Sequence, residues 1–412
     1  MTADPPGGPE APGSAGSPAG PGPRETAPRR PGWGRQTSLF QPREPAFWLY
    51  LLLLVATAGV AVRQQRYLHA VSPSAWALSW ALLALYLLPM AAFIYLLDLY
   101  EREPPSLVVG ALLYGAVCAT TLAGLANDGW GAVVARLAGP DFAARWTAAL
   151  TAPWTEELVK GCGVVLLYLI AAGELDDIMD GFVYGAMTGL GFAVVEDALY
   201  FVLPGGDAGR VLGGFFVRVV ASGLYGHVLY SGLAGIGIAW FVTRRGEAGL
   251  ARRLAVAGGL GALAVGAHFL WNSPWLDLFP TEEALGPPGL GRVVLAAAVK
   301  GLPFLAVLAT MLALARRRES HWLAVAVGAE VGGPGLHAAE LEVLKDPRRR
   351  RRARRELRRL HGQRAAAILR RLHRAQITLA MIRTRVDADD HPDLTRQRDL
   401  CRTLRESLPP DR

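Results

Sequence analysis

Between positions 46 and 315, stretches of apolar residues long enough to cross about 30 Å of hydrocarbon recur eight times. They run Ala46 to Val62, Ala75 to Leu97, Ser106 to Ala126, Trp154 to Ala172, Ile178 to Leu203, Val219 to Val242, Leu254 to Trp275 and Val293 to Ala315. Their length predicts helices rather than a barrel. The expected fold is therefore all-α: a polytopic membrane helix bundle of about eight transmembrane helices. Residues 1 to about 45 are dense in Pro, Gly, Ala and Ser and lack the order of a cleaved signal. They predict a disordered tail. The domain plan is thus a tail over 1–45, a membrane domain over 46–315 and a basic, partly helical tail over 316–412.

Composition agrees with the pattern. The 412 residues are 52% hydrophobic and 19% charged, and the net charge of +8 is concentrated in an arginine-dense C-terminal stretch. Cys118, Cys162 and Cys401 have neither paired nor metal-ligand spacing. The loops set an orientation: Arg244, Arg245, Arg252 and Arg253 separate spans six and seven, and Arg316, Arg317 and Arg318 follow span eight. The positive-inside rule then puts both termini in the cytoplasm, with the chain in the cell membrane. Arg63 and Arg66 after span one argue weakly the other way.

Several ionisable residues interrupt the apolar spans, at about 2.5 to 3.5 kcal/mol per charge at a span centre. Span four carries Glu156, Glu157 and Lys160, and span five Glu196 followed by Asp197. Span six carries His227, and span seven His268 and Asn272. In the predicted topology all reach similar depth near the outer leaflet, which predicts one shared polar pocket. Glu156 and Lys160 share a helix face at i and i+4, with Glu157 turned about 100° away. One carboxylate can pair with the lysine while the other serves as a general base or acid. The plainer reading is a helix start, with Thr155 as its cap. His268 and Asn272 also share a face and suit an oxyanion or a metal-bound water. Gly181, Gly185 and Gly189 form a small-residue packing stripe, and Lys300 is read as snorkelling from the end of span eight. Imidazole and carboxylate together suit a divalent metal such as zinc, with Glu196, His227 and His268 as candidate ligands. The spacing is not H-E-x-x-H, so a metal-bound and a glutamate-activated water both stay open.

The ordered set Glu156-Glu157-x-x-Lys160, Phe192-x-x-x-Glu196, His227 and His268-x-x-Trp271-Asn272 resembles the PrsW family of intramembrane proteases. More distantly it is similar to the CAAX-processing and bacteriocin-processing protease superfamily. Tyr100 to Pro105 also resembles that family's E-x-E-P boundary, and the likeness runs from about Leu83 to Ala315. The family's second motif often reads Glu-Asn where this chain has Asp197. The resemblance implies proteolysis of a membrane-anchored protein, in the family's best-known role the outer-side cleavage of an anti-sigma factor. It implies Glu156 or Glu157 as base, Lys160 holding a glutamate ionised, Glu196 and His227 as partners or ligands, and His268 with Asn272 at the oxyanion.

Two other classes compete. A proton- or ion-coupled transporter would use the same residues as a relay, although the spans show no inverted repeat. A non-catalytic scaffold would bind a substrate helix without cutting it. Beyond span eight, Arg348 to Arg352 with Arg354, Arg355, Arg358 and Arg359 lead into a helical pattern. Tethered to a bilayer, such a run meets anionic lipid before nucleic acid.

Overall fold

The computed structural model describes residues 38–98, 102–203, 205–223, 226–275, 294–328, 330–333, 335–383, 386 and 388–409. Most of the expected N-terminal tail, with Tyr100, Glu101 and Tyr225, lies outside the described residues. Among the described residues the chain is helical and forms no extended strand. In chain order the helices are α1 Pro45–Val71, α2 Pro73–Leu97, α3 Pro105–Ala138, α4 Pro140–Ile170 and α5 Ile178–Val202. There follow α6 Ala208–Phe215, α7 His227–Thr243, α8 Leu250–Asn272 and α9 Val294–Gly328. The chain closes with α10 Ala338–Leu344, α11 Pro347–Arg383 and α12 Pro392–Glu406. Helices α3 and α9 each contain one π-helical turn, at Tyr114–Ala119 and Ala297–Gly301, and a third, Phe216–Ala221, extends α6.

Among the described residues, six helices are long and apolar enough to cross a membrane: α1, α2, α3, α5, α8 and α9. The expected eight differ from these at α4 and α7. Helix α4 begins at Pro140, well before the expected start at Trp154, and its first turns carry Asp141 and Arg145. Thr155 therefore lies in the helix interior and caps nothing. The expected sixth span, Val219 to Val242, is broken: the π turn ends at Ala221, and α7 begins only at His227 with 17 residues. Hydropathy alone does not register the interruption at Ser222, Gly223 and Gly226.

Helix α5 is the axis of the bundle, with its most apolar window entirely buried. The expected glycine stripe explains one face. A Cβ on Gly185 or Gly189 would run into the carbonyls of Ser231 and His227, so α5 and α7 touch backbone to backbone. That contact sets the start of α7, and with it His227, directly on α5.

Helix α9 does not stop at the expected boundary of 315 but continues to Gly328. Leu323, Ala326 and Val327 on its last turns form a core with Leu336, Leu344, Ile377, Ala380 and Met381. Leu372, Ala375 and Leu379 of α11 pack with Leu394, Cys401 and Leu404 of α12. Buried Glu330 binds Arg398 at 2.8 Å, and Glu340 binds Arg405 at 2.6 Å. The tail is therefore a small folded unit built on the end of α9.

Candidate active site

The six charged or imidazole side chains read as one pocket do meet, on α4, α5, α7 and α8. Lys160, fully buried, donates to Glu157 Oε1 at 2.7 Å and contacts His227 Nδ1 at 2.9 Å. Its ammonium also lies 3.6 Å from Glu156 Oε2 and 4.2 Å from the centre of the Phe192 ring. The aromatic residue of the second motif thus covers the lysine with its negative π face. His227 Nε2 is 2.8 Å from Glu196 Oε2, and His268 Nδ1 is 3.1 Å from Glu157 Oε1.

The two adjacent glutamates differ in how fully they are engaged. Glu157 accepts from Lys160, from His268 and from Ser231 at 3.2 Å. Glu156 accepts on Oε1 from Asn127 at 3.0 Å, while its Oε2 is buried without a hydrogen-bond partner. Asn127 is itself held by the Thr155 hydroxyl. A cavity of about 530 Å³ opens onto Glu156, Glu196, His227, Tyr230, His268 and Asn272. A larger one of about 980 Å³, between α1, α3 and α5, meets it at Asn127, Asp128, Glu156, Glu196 and Tyr200.

Glu156, Glu157, His227 and His268 each offer one ligand atom, all within 4.8 Å of one another, and so can hold a metal ion. Glu196 stands outside that set, on the far nitrogen of His227. The donors fit a divalent ion best at two atoms. With its Nδ1–H given to Glu157, His268 turns the Nε2 lone pair toward Glu156 Oε2, 3.9 Å away. A carboxylate orienting a ligand histidine is the usual outer-shell arrangement of such sites. His227 is less free, because Lys160 occupies its Nδ1.

Four participants had weak or no sequence signal. Arg218, on the π turn after α6, binds Glu196 Oε2 at 2.7 Å, pairs with Asp197 and lies 4.3 Å over the Tyr200 ring. Asp197 is therefore itself buried with a charged partner and is not a mere interface marker. Tyr230 stacks on His268 with centroids 4.8 Å apart, and its buried hydroxyl has no partner. Asn127 and Ser231 fix the two glutamates. Asn272 spends its amide on the Ala148 carbonyl at 3.2 Å, tying α8 to α4. Lys300 does not snorkel. It is buried and donates to the carbonyls of Trp271 and Ser273 at 3.3 and 2.6 Å, at the C-terminal end of α8.

Fold and site together define a multi-pass membrane protein with an enclosed centre of carboxylates, imidazoles and one ammonium. Comparison with known proteins narrows the class. Residues 103–302, which hold every site residue above, match the family described as PrsW family intramembrane metalloprotease. "Protease PrsW" of Geobacillus kaustophilus (strain HTA426) is 34% identical over 120 residues, 28% of this chain and 48% of that relative. The chain thus spans about half the length of the curated relative it matches. No solved structure matches. The PrsW resemblance carried by the four motifs is borne out over residues 103–302.

Proposed function

We propose that this chain is an intramembrane protease that hydrolyses a peptide bond of a membrane-anchored protein, with Glu156 as the residue that activates water. The observation that carries this reading is the Oε2 of Glu156, buried beside His268 at a cavity wall without a hydrogen-bond partner. In the reaction a water gives its proton to Glu156 Oε2 as its oxygen bonds to the scissile carbonyl carbon. The oxyanion that forms takes a hydrogen bond from the free Tyr230 hydroxyl. Glu156 then passes the proton to the departing amide nitrogen as the C–N bond breaks. Glu157, neutralised by Lys160, holds His268; Glu196, clamped by Arg218, holds His227.

A divalent metal, with zinc the best match to these donors, would instead take Glu156 and His268 as ligands, with Glu157 and His227 in reach, so that Glu156 would then serve as ligand rather than base. When bound it supplies Lewis-acid polarisation of water and carbonyl. The partners of this reading are a membrane-anchored protein substrate, an anti-sigma factor-like regulator being one kind, and anionic lipid at the basic tail. Helices α4 and α7 cross the bilayer with the other six, and both termini are cytoplasmic.

The test is cleavage of a panel of tagged single-span membrane proteins on co-expression. Wild type cleaves at least one, and Glu156→Gln at equal abundance cleaves none. Undiminished cleavage by Glu156→Gln would overturn the assignment, and proton or ion flux abolished by the same substitution, without cleavage, would favour a transporter.

A further inference from the structure

Helix α1 is tied to two different neighbours along its length. The hydroxyl of Thr57 lies 3.5 Å from Cys118 Sγ on α3. Two turns further on, Gln65 accepts from the indoles of Trp76 and Trp80 on α2, both at 3.0 Å. Beyond Thr57, the face of α1 that carries Val60, Arg63, Gln64 and Tyr67, spaced i, i+3, i+4 and i+7, lines the cavity of about 980 Å³. That cavity reaches Glu156, so it is a groove leading to the acid that activates water.

The groove has a charge pattern of its own. Arg63 on α1 and Asp128 on α3 both line it, both are exposed, and neither has an ion-pair partner among the described residues. Its other carboxylates are engaged: Glu196 by Arg218 and His227, and Glu156 by Asn127. One wall therefore offers an uncompensated positive charge, while the remaining walls carry acids. Tyr67, Leu125 and Tyr200 add exposed aromatic and apolar surface to the same space.

Its dimensions limit the occupant. Along α5 the lining runs from Glu196 to Leu203, seven residues or about 10 Å of helix. A helix about 10 to 12 Å across would present no free carbonyl there, because its carbonyls are bonded within the helix. An extended chain rises about 3.3 Å per residue, so about three residues cover the same length and leave a carbonyl open to attack. An Asp or Glu on that segment gains a charge-assisted bond from the Arg63 guanidinium, whereas a Lys or Arg there meets a like charge.

We propose that the groove between α1, α3 and α5 binds the substrate as an extended segment, and that Arg63 selects an acidic side chain about three residues from the scissile bond. This rests on the protease reading and adds to it a class of substrate. Arg63 touches no reacting atom and sets specificity alone.

The test reads binding, so that its failure is distinct from a failure of cleavage. The full chain with Glu156→Gln and a benzophenone amino acid in place of Leu125 is placed in lipid discs. It is offered three synthetic single-span peptides, each a leucine-alanine span with a short polar flank that contains Asp, Asn or Lys. Light-induced cross-linking is expected to be about tenfold greater for the Asp peptide than for the Lys peptide, with the Asn peptide between them. Arg63→Gln levels the order and Arg63→Glu reverses it, whereas Arg66→Gln, on the same helix but outside the groove, leaves it unchanged. Equal labelling by the three peptides, no labelling, or an order that survives Arg63→Glu would overturn the proposal. So would labelling confined to a benzophenone at Ala144, in the smaller cavity. Labelling in the expected order, with no substrate cleaved by the wild type, would keep the groove as a peptide site and overturn the protease reading instead.

Discussion

The ammonium of Lys160 lies 2.9 Å from Nδ1 of His227. A charged lysine has only donors to offer, so Nδ1 accepts and the ring proton sits on Nε2, 2.8 Å from Glu196 Oε2. One contact thus fixes the tautomer of His227 and aims its N–H at the carboxylate that Arg218 holds. Removing the ammonium is expected to leave Glu157 as an uncompensated buried charge. Lys160→Met should cost about 3 to 5 kcal/mol and abolish cleavage. Adding Glu157→Gln should recover much of the stability and none of the activity, read by thermal unfolding in detergent beside a cleavage assay.

The facing lone pairs of Glu156 Oε2 and His268 Nε2 make a prediction about metal. Purified wild type should carry about one zinc per chain, and Glu156→Gln or His268→Ala should lower occupancy at least tenfold, measured by elemental analysis. Fully active protein that holds no metal after chelation would assign water activation to Glu156 alone.

Arg218 holds two acids at once, through separate nitrogens for Glu196 and Asp197. Lysine keeps the charge and loses the fork, so Arg218→Lys should lower cleavage about ten- to a hundredfold. Asp197→Asn leaves the Arg218 to Glu196 bond in place and should cost less than tenfold, whereas Glu196→Gln should cost far more. The ordering of these three in one cleavage assay is the check.

Burial, then the charges of Arg350 and Arg354, push the pKa of His373 down to about 4. A folded-state value below the unfolded one means that protonation favours unfolding. The stability of the tail is therefore complete above about pH 6.5 and falls as pH drops toward 4, by on the order of 3 kcal/mol. Protection factors over α11, corrected for the intrinsic exchange rate, should fall between pH 7 and pH 5 in wild type and change less in His373→Leu.

The charged members of the site could be read from sequence because each is conspicuous in an apolar span. Tyr230, Asn127 and Ser231 are not, since membrane helices tolerate such side chains at little cost. Arg218 was hidden differently: it lies just outside the expected sixth span, and only the return of the chain to α5 brings it to Glu196. The same limit applies to the tail. Its arginines were legible as a basic helix, but the bond from Arg398 to Glu330, 68 residues earlier, is a long-range fact that no local pattern carries.

Lys300 is the last case, because its plain reading as a snorkelling surface lysine and its observed position predict opposite results. The carbonyl of Trp271, between His268 and Asn272, and that of Ser273, just after them, lie at a helix end that has no further turn to satisfy them. A buried ammonium supplies those bonds and complements the negative end of the α8 dipole. A snorkelling lysine could be exchanged for methionine without consequence. A lysine that caps α8 cannot: Lys300→Met should cost about 1.5 to 3 kcal/mol and lower kcat more than it raises KM, through a displaced His268. Lys300→Arg, which keeps the donors, should restore part of kcat. Unchanged stability and turnover in Lys300→Met would show that α8 holds its end without this residue.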